Sequence, residues 1–229
     1  MPERRPYGQS EADRQRDKRL LGEWISEADT LDRRLIQAVS DGDLHTVQVL
    51  LDRLDREEGP DPCARVDAED HDSVLRGNVL HLAIQQGELK IVRSLLRAGA
   101  VADAVLTVAD RGTMLKGTAL HLAVERGNLK IVQALLDDGA DPNALMAKIA
   151  GDSEFKGTAL HSATALRHPG IVEALLAAGA RSEIQSNLGK TALQMARDGN
   201  AREIVAILEV VEAKRPSQHS PIQHKHPCL

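Results

Sequence analysis

Three stretches of this chain are copies of one another. Residues 116–144, KGTALHLAVERGNLKIVQALLDDGADPNA, align without a gap on residues 76–104, RGNVLHLAIQQGELKIVRSLLRAGAVADA, and on residues 156–184, KGTALHSATALRHPGIVEALLAAGARSEI. The shared alanine falls at Ala83, Ala123 and Ala163, 40 residues apart each time. A fourth copy, KTALQMARDGNAREIVAILEVV, brings Ala196 only 33 residues later. A degenerate first copy, LIQAVSDGDLHTVQVLLDR, has Ala38 45 residues before Ala83. Periods of this size signal supersecondary units stacked in line.

Each copy holds two short helical patterns. The first, T-A-L-H-L-A-V in the clearest case, stops at a glycine such as Gly87 or Gly127. The second, L-K-I-V-x-x-L-L, stops at Gly99, Gly139 or Gly179. Ile131, Val132, Leu135 and Leu136 make one apolar stripe of helical period. Glycine suits the left-handed conformation that ends a helix. Ala83 and Ala123 let neighbouring helices approach closely. No copy can bury its stripe alone, so the copies must stack.

These residues resemble the ankyrin repeat family. The resemblance rests on T-x-L-H-x-A, on G-x-L-x-I-V-x-x-L-L and on G-A-D-P-N-A at Gly139–Ala144, and it spans about residues 31–212 as five repeats. It implies a mainly α fold, an ankyrin-repeat solenoid of stacked helix pairs. The family's usual proline at the start of the first helix is replaced here by Val79, Ala119, Ala159 and Ala192. The expected boundaries are a charged N-terminal tail and capping helix over 1–30 and repeats over 31–213, with a C-terminal tail at 214–229. The repeats themselves divide at about 31–76, 77–116, 117–156, 157–189 and 190–213.

The longer steps can be placed. Gly59 to Gly77, Gly99 to Gly117 and Gly139 to Gly157 each span 18 residues, against 11 from Gly179 to Lys190. Three successive inter-repeat loops are therefore longer, and their ends also repeat: HDSVLRG, RGTMLKG and GDSEFKG. The resemblance implies β-hairpins here, elongated into three fingers side by side. Turn signals sit at Asp70–Asp72, Asp110–Gly112 and Gly151–Asp152. The remaining extra residues of the first step, in LDRLDREE at 51–58, are expected to lengthen that second helix. Leu20, Leu21, Trp24 and Ile25 are expected to cover the open face of the first repeat, as a terminal repeat requires. Glu203, Glu209 and Glu212 make the last copy more polar.

Composition narrows the function. Phe155, Trp24 and Tyr7 are the only aromatic residues apart from histidine, which excludes stacking platforms for single strands of nucleic acid. The formal net charge of −5 lacks the clustered basic face of a phosphate-backbone binder. Cys63 and Cys228 define no disulfide framework or metal knuckle. No apolar run approaches the roughly 18 residues of a membrane span, and no signal-peptide pattern opens the sequence. The expectation is a cytoplasmic, intracellular protein. Action in the nucleus or after delivery into another cell stays open.

Candidate chemistry is thin. His81, His121 and His161 recur in register, but repeats stand too far apart to share one ion. The resemblance implies that this histidine bonds the turn of the neighbouring repeat. Gly189-Lys190-Thr191 looks like the end of a phosphate loop, yet that motif needs another glycine where Ile184 stands. His219, His224, His226 and Cys228 offer soft-metal ligands without a scaffold to fix them. No nucleophile is paired with a base. The expectation is no enzyme, no cofactor and no small-molecule substrate, with neither nucleic acid nor membrane as partner.

Recognition of a protein or peptide remains. The resemblance implies a concave side made of fingers and first helices. Its exposed helix positions are Ser40 and Asp41, Gln85 and Gln86, Glu125 and Arg126, Ala165 and Leu166, and Arg197 and Asp198. The fingers add Leu106, Met114, Leu115, Met146, Ile149 and Phe155, as interface anchors or as spacers between fingers. The partner site is expected at Gln85, Gln86, Met114, Glu125, Arg126, Met146, Phe155, Ala165 and Leu166. An acidic tip on finger one (Glu69, Asp70, Asp72) would steer a positively charged partner. Two alternatives stand beside this reading: a metal-responsive protein using the His/Cys tail, and an inhibitor that occludes an enzyme.

Overall fold

The computed structural model describes residues 30–52, 60–69, 73–110 and 112–213. The expected capping helix, residues 53–59 of the lengthened segment, Asp70 and Asp72 of the first finger tip, and the tail bearing His219, His224, His226 and Cys228 lie outside the described residues.

Among the described residues ten helices form five pairs. They are α1 (Thr30–Asp41) with α2 (Leu44–Leu51), α3 (Val79–Gln86) with α4 (Leu89–Arg97), and α5 (Ala119–Glu125) with α6 (Leu129–Asp137). The series ends with α7 (Ala159–Ala165) and α8 (Pro169–Ala177), then α9 (Ala192–Asp198) and α10 (Arg202–Ala213). First helices stack on first helices and second helices on second. The core runs between the two rows. Ile91, Val92 and Leu95 recur as Ile131, Val132 and Leu135 and as Ile171, Val172 and Leu175, all buried. Ala83, Ala123 and Ala163, on the first helices, are fully buried. Burying each aliphatic side chain of the stripe contributes about 1.5–3 kcal/mol.

The helix starts are fixed locally. The Asn78 side chain accepts from the His81 amide at 3.2 Å while the Asn78 amide donates to His81 Nδ1 at 3.0 Å. Thr118 and Thr158 donate their amides to His121 and His161 Nδ1 at 3.1 Å each. In the last repeat Gln194 Oε1 accepts from the Thr191 amide at 2.9 Å. This reciprocal capping compensates for the missing proline. Gly87 and Gly127 then end α3 and α5 in the left-handed region, at φ 79° and 67°.

Between the pairs lie six strands: β1 (Arg65–Glu69), β2 (Ser73–Asn78), β3 (Val105–Asp110), β4 (Thr113–Thr118), β5 (Leu145–Ala150) and β6 (Ser153–Thr158). The three hairpins do more than stand side by side. β2 pairs with β3 and β4 with β5, so all six strands form one antiparallel sheet in sequence order. The inter-finger ladders need fingers of equal length, which explains the equal loop extensions.

The far edge of that sheet is closed by one residue. The Asn187 amide donates to the Lys156 carbonyl at 3.0 Å. Its side chain accepts from the Lys156 amide at 2.9 Å and donates to the Glu154 carbonyl at 2.8 Å. Asn187 thus meets three outward-facing backbone groups of β6 in place of a fourth hairpin.

Candidate partner-binding face

Residues directly opposite in an antiparallel sheet lie on the same face, and parity alternates along each strand. The register therefore sorts the finger residues. Leu106 opposes Gly117, Val108 opposes Leu115, Met146 opposes Gly157, and Lys148 opposes Phe155. Leu115 also opposes Lys148. All of these share the face turned toward the first helices, where Leu106, Leu115 and Met146 are buried. Val105, Thr107, Met114, Lys116, Leu145 and Ile149 lie on the opposite, outer face, where Val105 is 75% and Leu145 66% exposed.

The expected finger anchors are thus divided. Met146, 2% exposed, sits in the row nearest the helices, among Val66 and Leu106 and the intervening Gly77, Gly117 and Gly157. Those glycines leave room for the capping histidines. A Cβ on Gly77 would lie 2.8 Å from His81 Nδ1, and one on Gly157 2.9 Å from Phe155 Cζ. Phe155 is half-buried in the next row, its ring edge-on to His161 with centroids 6.4 Å apart. Met114 is on the outer face, half-buried, opposite Ala109 and Ile149.

One helix-end position reaches across to the inner sheet face. Glu125, at the end of α5, accepts from Lys148 Nζ of β5 at 2.7 Å. Their side chains are 16% and 36% exposed, so the pair is partly shielded from water. Sequence reasoning did not find Lys148. The same 23-residue step leads from Gln85 to Val108 and from Ala165 to Leu188, so the ion pair belongs to the middle repeat alone. Gln85 is buried, Gln86, Arg126 and Leu166 are half-buried, and Ala165 is exposed. In the last repeat Arg197 pairs with Glu209 at 2.8 Å and Asp198 with Lys190 at 2.6 Å.

The in-register histidines serve the scaffold. His81, His121 and His161 bond through Nε2 to the carbonyls of Ala104, Ala144 and Lys190 at 3.0, 3.1 and 3.2 Å. Each Nδ1 accepts from an amide, so each Nε2 carries the proton and donates. Burial holds His81 and His121 well below the usual histidine range, to about 4, against a smaller upward effect of the carbonyl bonds. Burial lowers His161 as well. Gly189, at φ 68°, turns the chain, Lys190 receives the His161 bond, and Thr191 caps α9.

A family model described as ankyrin repeats (3 copies) matches residues 35–146. No curated protein matched the chain. None of the described helices is long and apolar enough to cross a membrane.

Proposed function

The chain belongs to the ankyrin repeat family, whose members are generally protein–protein interaction modules, and on that premise we propose that it captures a protein or peptide partner in the angle between its first helices and the inner face of its sheet. The observation that carries this reading is the partly shielded Glu125–Lys148 ion pair, with half-buried Phe155 opposite Lys148 on the same sheet face. Preformed mixed charge beside apolar surface suits a folded or peptide partner. The contacts in this proposal are Gln86, Glu125, Arg126, Lys148, Phe155, Ala165 and Leu166. Buried Gln85 and Met146 support that surface from beneath. Met114 belongs to the other side of the sheet and drops out of the contact set. Recognition by a rigid surface needs no cofactor and no bond-making step.

The test is a comparison of two captures from native cell lysate. The full chain and its Arg126→Glu/Leu166→Asp variant serve as baits, with bound proteins identified by mass spectrometry. A protein retained by the full chain and lost by the variant supports the reading. Equal retention of every captured protein by both baits overturns it.

A further inference from the structure

The second helices present an outer face, and its chemistry changes along the stack. Ile91, Ile131, Ile171 and Ile204 are equivalent, buried anchors of α4, α6, α8 and α10. Two and six residues beyond each anchor the outward positions are Arg93 and Arg97, then Gln133 and Asp137, then Glu173 and Ala177, and finally Ala206 and Val210. The second and third repeats show the polar residues expected of a solvated back. The fourth repeat keeps Glu173 but has Ala177, and the fifth has Ala206 and Val210, with Val210 52% exposed. The result is a groove of about 580 Å³ between α8 and α10, walled by Leu176, Ala177, Ala206, Ile207, Val210 and Val211. An apolar surface at positions that other repeats keep polar calls for an occupant.

The ends of the groove say which kind. Glu173 lines one end. Glu203 lies one turn before Ala206 and Ile207 on the same face of α10 and is exposed. The other end lies at the C-termini of α8 and α10, where the helix dipoles favour positive charge. Two roughly aligned neighbouring helices leave a furrow shaped for the ridge of a third. We propose that this groove docks a cationic amphipathic helix of a partner protein, with aliphatic side chains along the furrow and Lys or Arg over Glu173 and Glu203. This second docking face lies on the row of second helices, away from the first helices of the proposed partner face, so the chain would hold two partners at once.

The probe is a fluorescent amphipathic Leu/Lys peptide of about the length of α10, with a Leu/Glu peptide of the same pattern as control. Anisotropy is read on the full chain and on its Ala206→Gln/Val210→Asp variant, which installs the residues α6 already carries at those positions. Saturable binding of the Leu/Lys peptide alone, weakened at least about tenfold in the variant, is expected from an unpaired carboxylate in an apolar seat. Equal binding by full chain and variant, equal binding of the Leu/Glu peptide, or no saturable binding overturns the proposal. Dimers of the full chain that the variant abolishes would give the groove to a second copy instead. Cross-links in the peptide-free chain from the groove to residues 214–229 would give it to the chain's own tail. Either result also overturns the proposal.

Discussion

His121 Nε2 donates to the carbonyl of Ala144 at 3.1 Å, so a side chain that caps one repeat also holds the turn leading to the next. The Thr118 amide and hydroxyl both contact Nδ1, at 3.1 and 3.0 Å, which fixes the neutral tautomer. A proton on Nδ1 would face an amide proton. His81 repeats the arrangement with Asn78 and Ala104.

Acid should therefore loosen the stack before the carboxylates titrate. His81 and His121 are lowered from 6.5 to about 4 in the folded chain. Below about 6.5 the unfolded chain takes up protons that the folded chain refuses, and the loss continues until the folded groups titrate near 4. Above 6.5 the two states bind the same number, so stability is flat there. Within the window each histidine lowers stability by about 1.4 kcal/mol per pH unit. Urea midpoints at pH 7.5 and 5.5 should differ accordingly. His121→Gln should keep the cap, as Gln194 does in the last repeat, and flatten the slope. An unchanged slope in that variant would remove His121 as a source.

Met146 and Phe155 sit in adjacent rows of one sheet face, and their truncations should separate stability from affinity. Met146→Ala empties a fully covered position beside Val66 and Leu106 and should lower stability by about 2–5 kcal/mol. Affinity for the captured partner should stay intact. Phe155→Ala removes a half-buried ring and should lower stability less while weakening the partner. Melting temperature and binding isotherms on both variants check this. The reverse pattern would place Met146 at the partner surface and Phe155 in the scaffold.

The helix pairs were legible because their determinants are local. The reciprocal cap at Asn78–His81 lies within four residues, and the Ile131–Leu135 stripe within five. The sheet was half legible. Equal loop lengths signalled aligned fingers, but hydrogen bonding from β2 to β3 depends on the spacing that the helix stack imposes. The placement of Met114 and Phe155 on opposite faces was readable. Aligned as repeats, Met114 shares a column with Val74 and Glu154, whereas Phe155 shares the next column with Leu75 and Leu115. Adjacent columns of a strand point to opposite faces, so these two residues could not line one site from one side. Asn187 was not legible, because nothing in the turn's composition says that a strand edge waits beside it. The apolar back was written in the sequence as Val210 in the column of Arg97 and Asp137, and reading Glu203, Glu209 and Glu212 alone concealed it.

The Glu125–Lys148 pair should prove modest in stability and larger in binding. Partial exposure leaves it screened by water and salt, so a double-mutant cycle with Glu125→Gln and Lys148→Met should give a coupling of about 0.5–1 kcal/mol. That coupling should shrink as salt is raised. If a partner covers the pair and excludes water, the same cycle measured on affinity should return a larger coupling. Equal coupling in both measurements would mean that the pair stays in contact with water in the complex.

Asn187 should be the residue that keeps the sheet from growing. It makes two contacts with Lys156 and one with Glu154, all to the backbone of the last strand. Removing the side chain by Asn187→Ala frees the Lys156 amide and the Glu154 carbonyl at the edge. The loss of two hydrogen bonds at a wet surface should lower stability by about 1–3 kcal/mol. The larger consequence is intermolecular. A freed edge is a template for another strand, and two such chains can pair β6 with β6 in antiparallel register. Light scattering should then show concentration-dependent association of Asn187→Ala where the parent chain shows none at the same concentration. Asn187→Asp separates the two effects, since a carboxylate still accepts from the Lys156 amide but cannot donate to the Glu154 carbonyl. Its association should fall between parent and alanine variant. Association in neither variant would mean that the bulk of the 184–190 turn, rather than the bonds of Asn187, shields the edge.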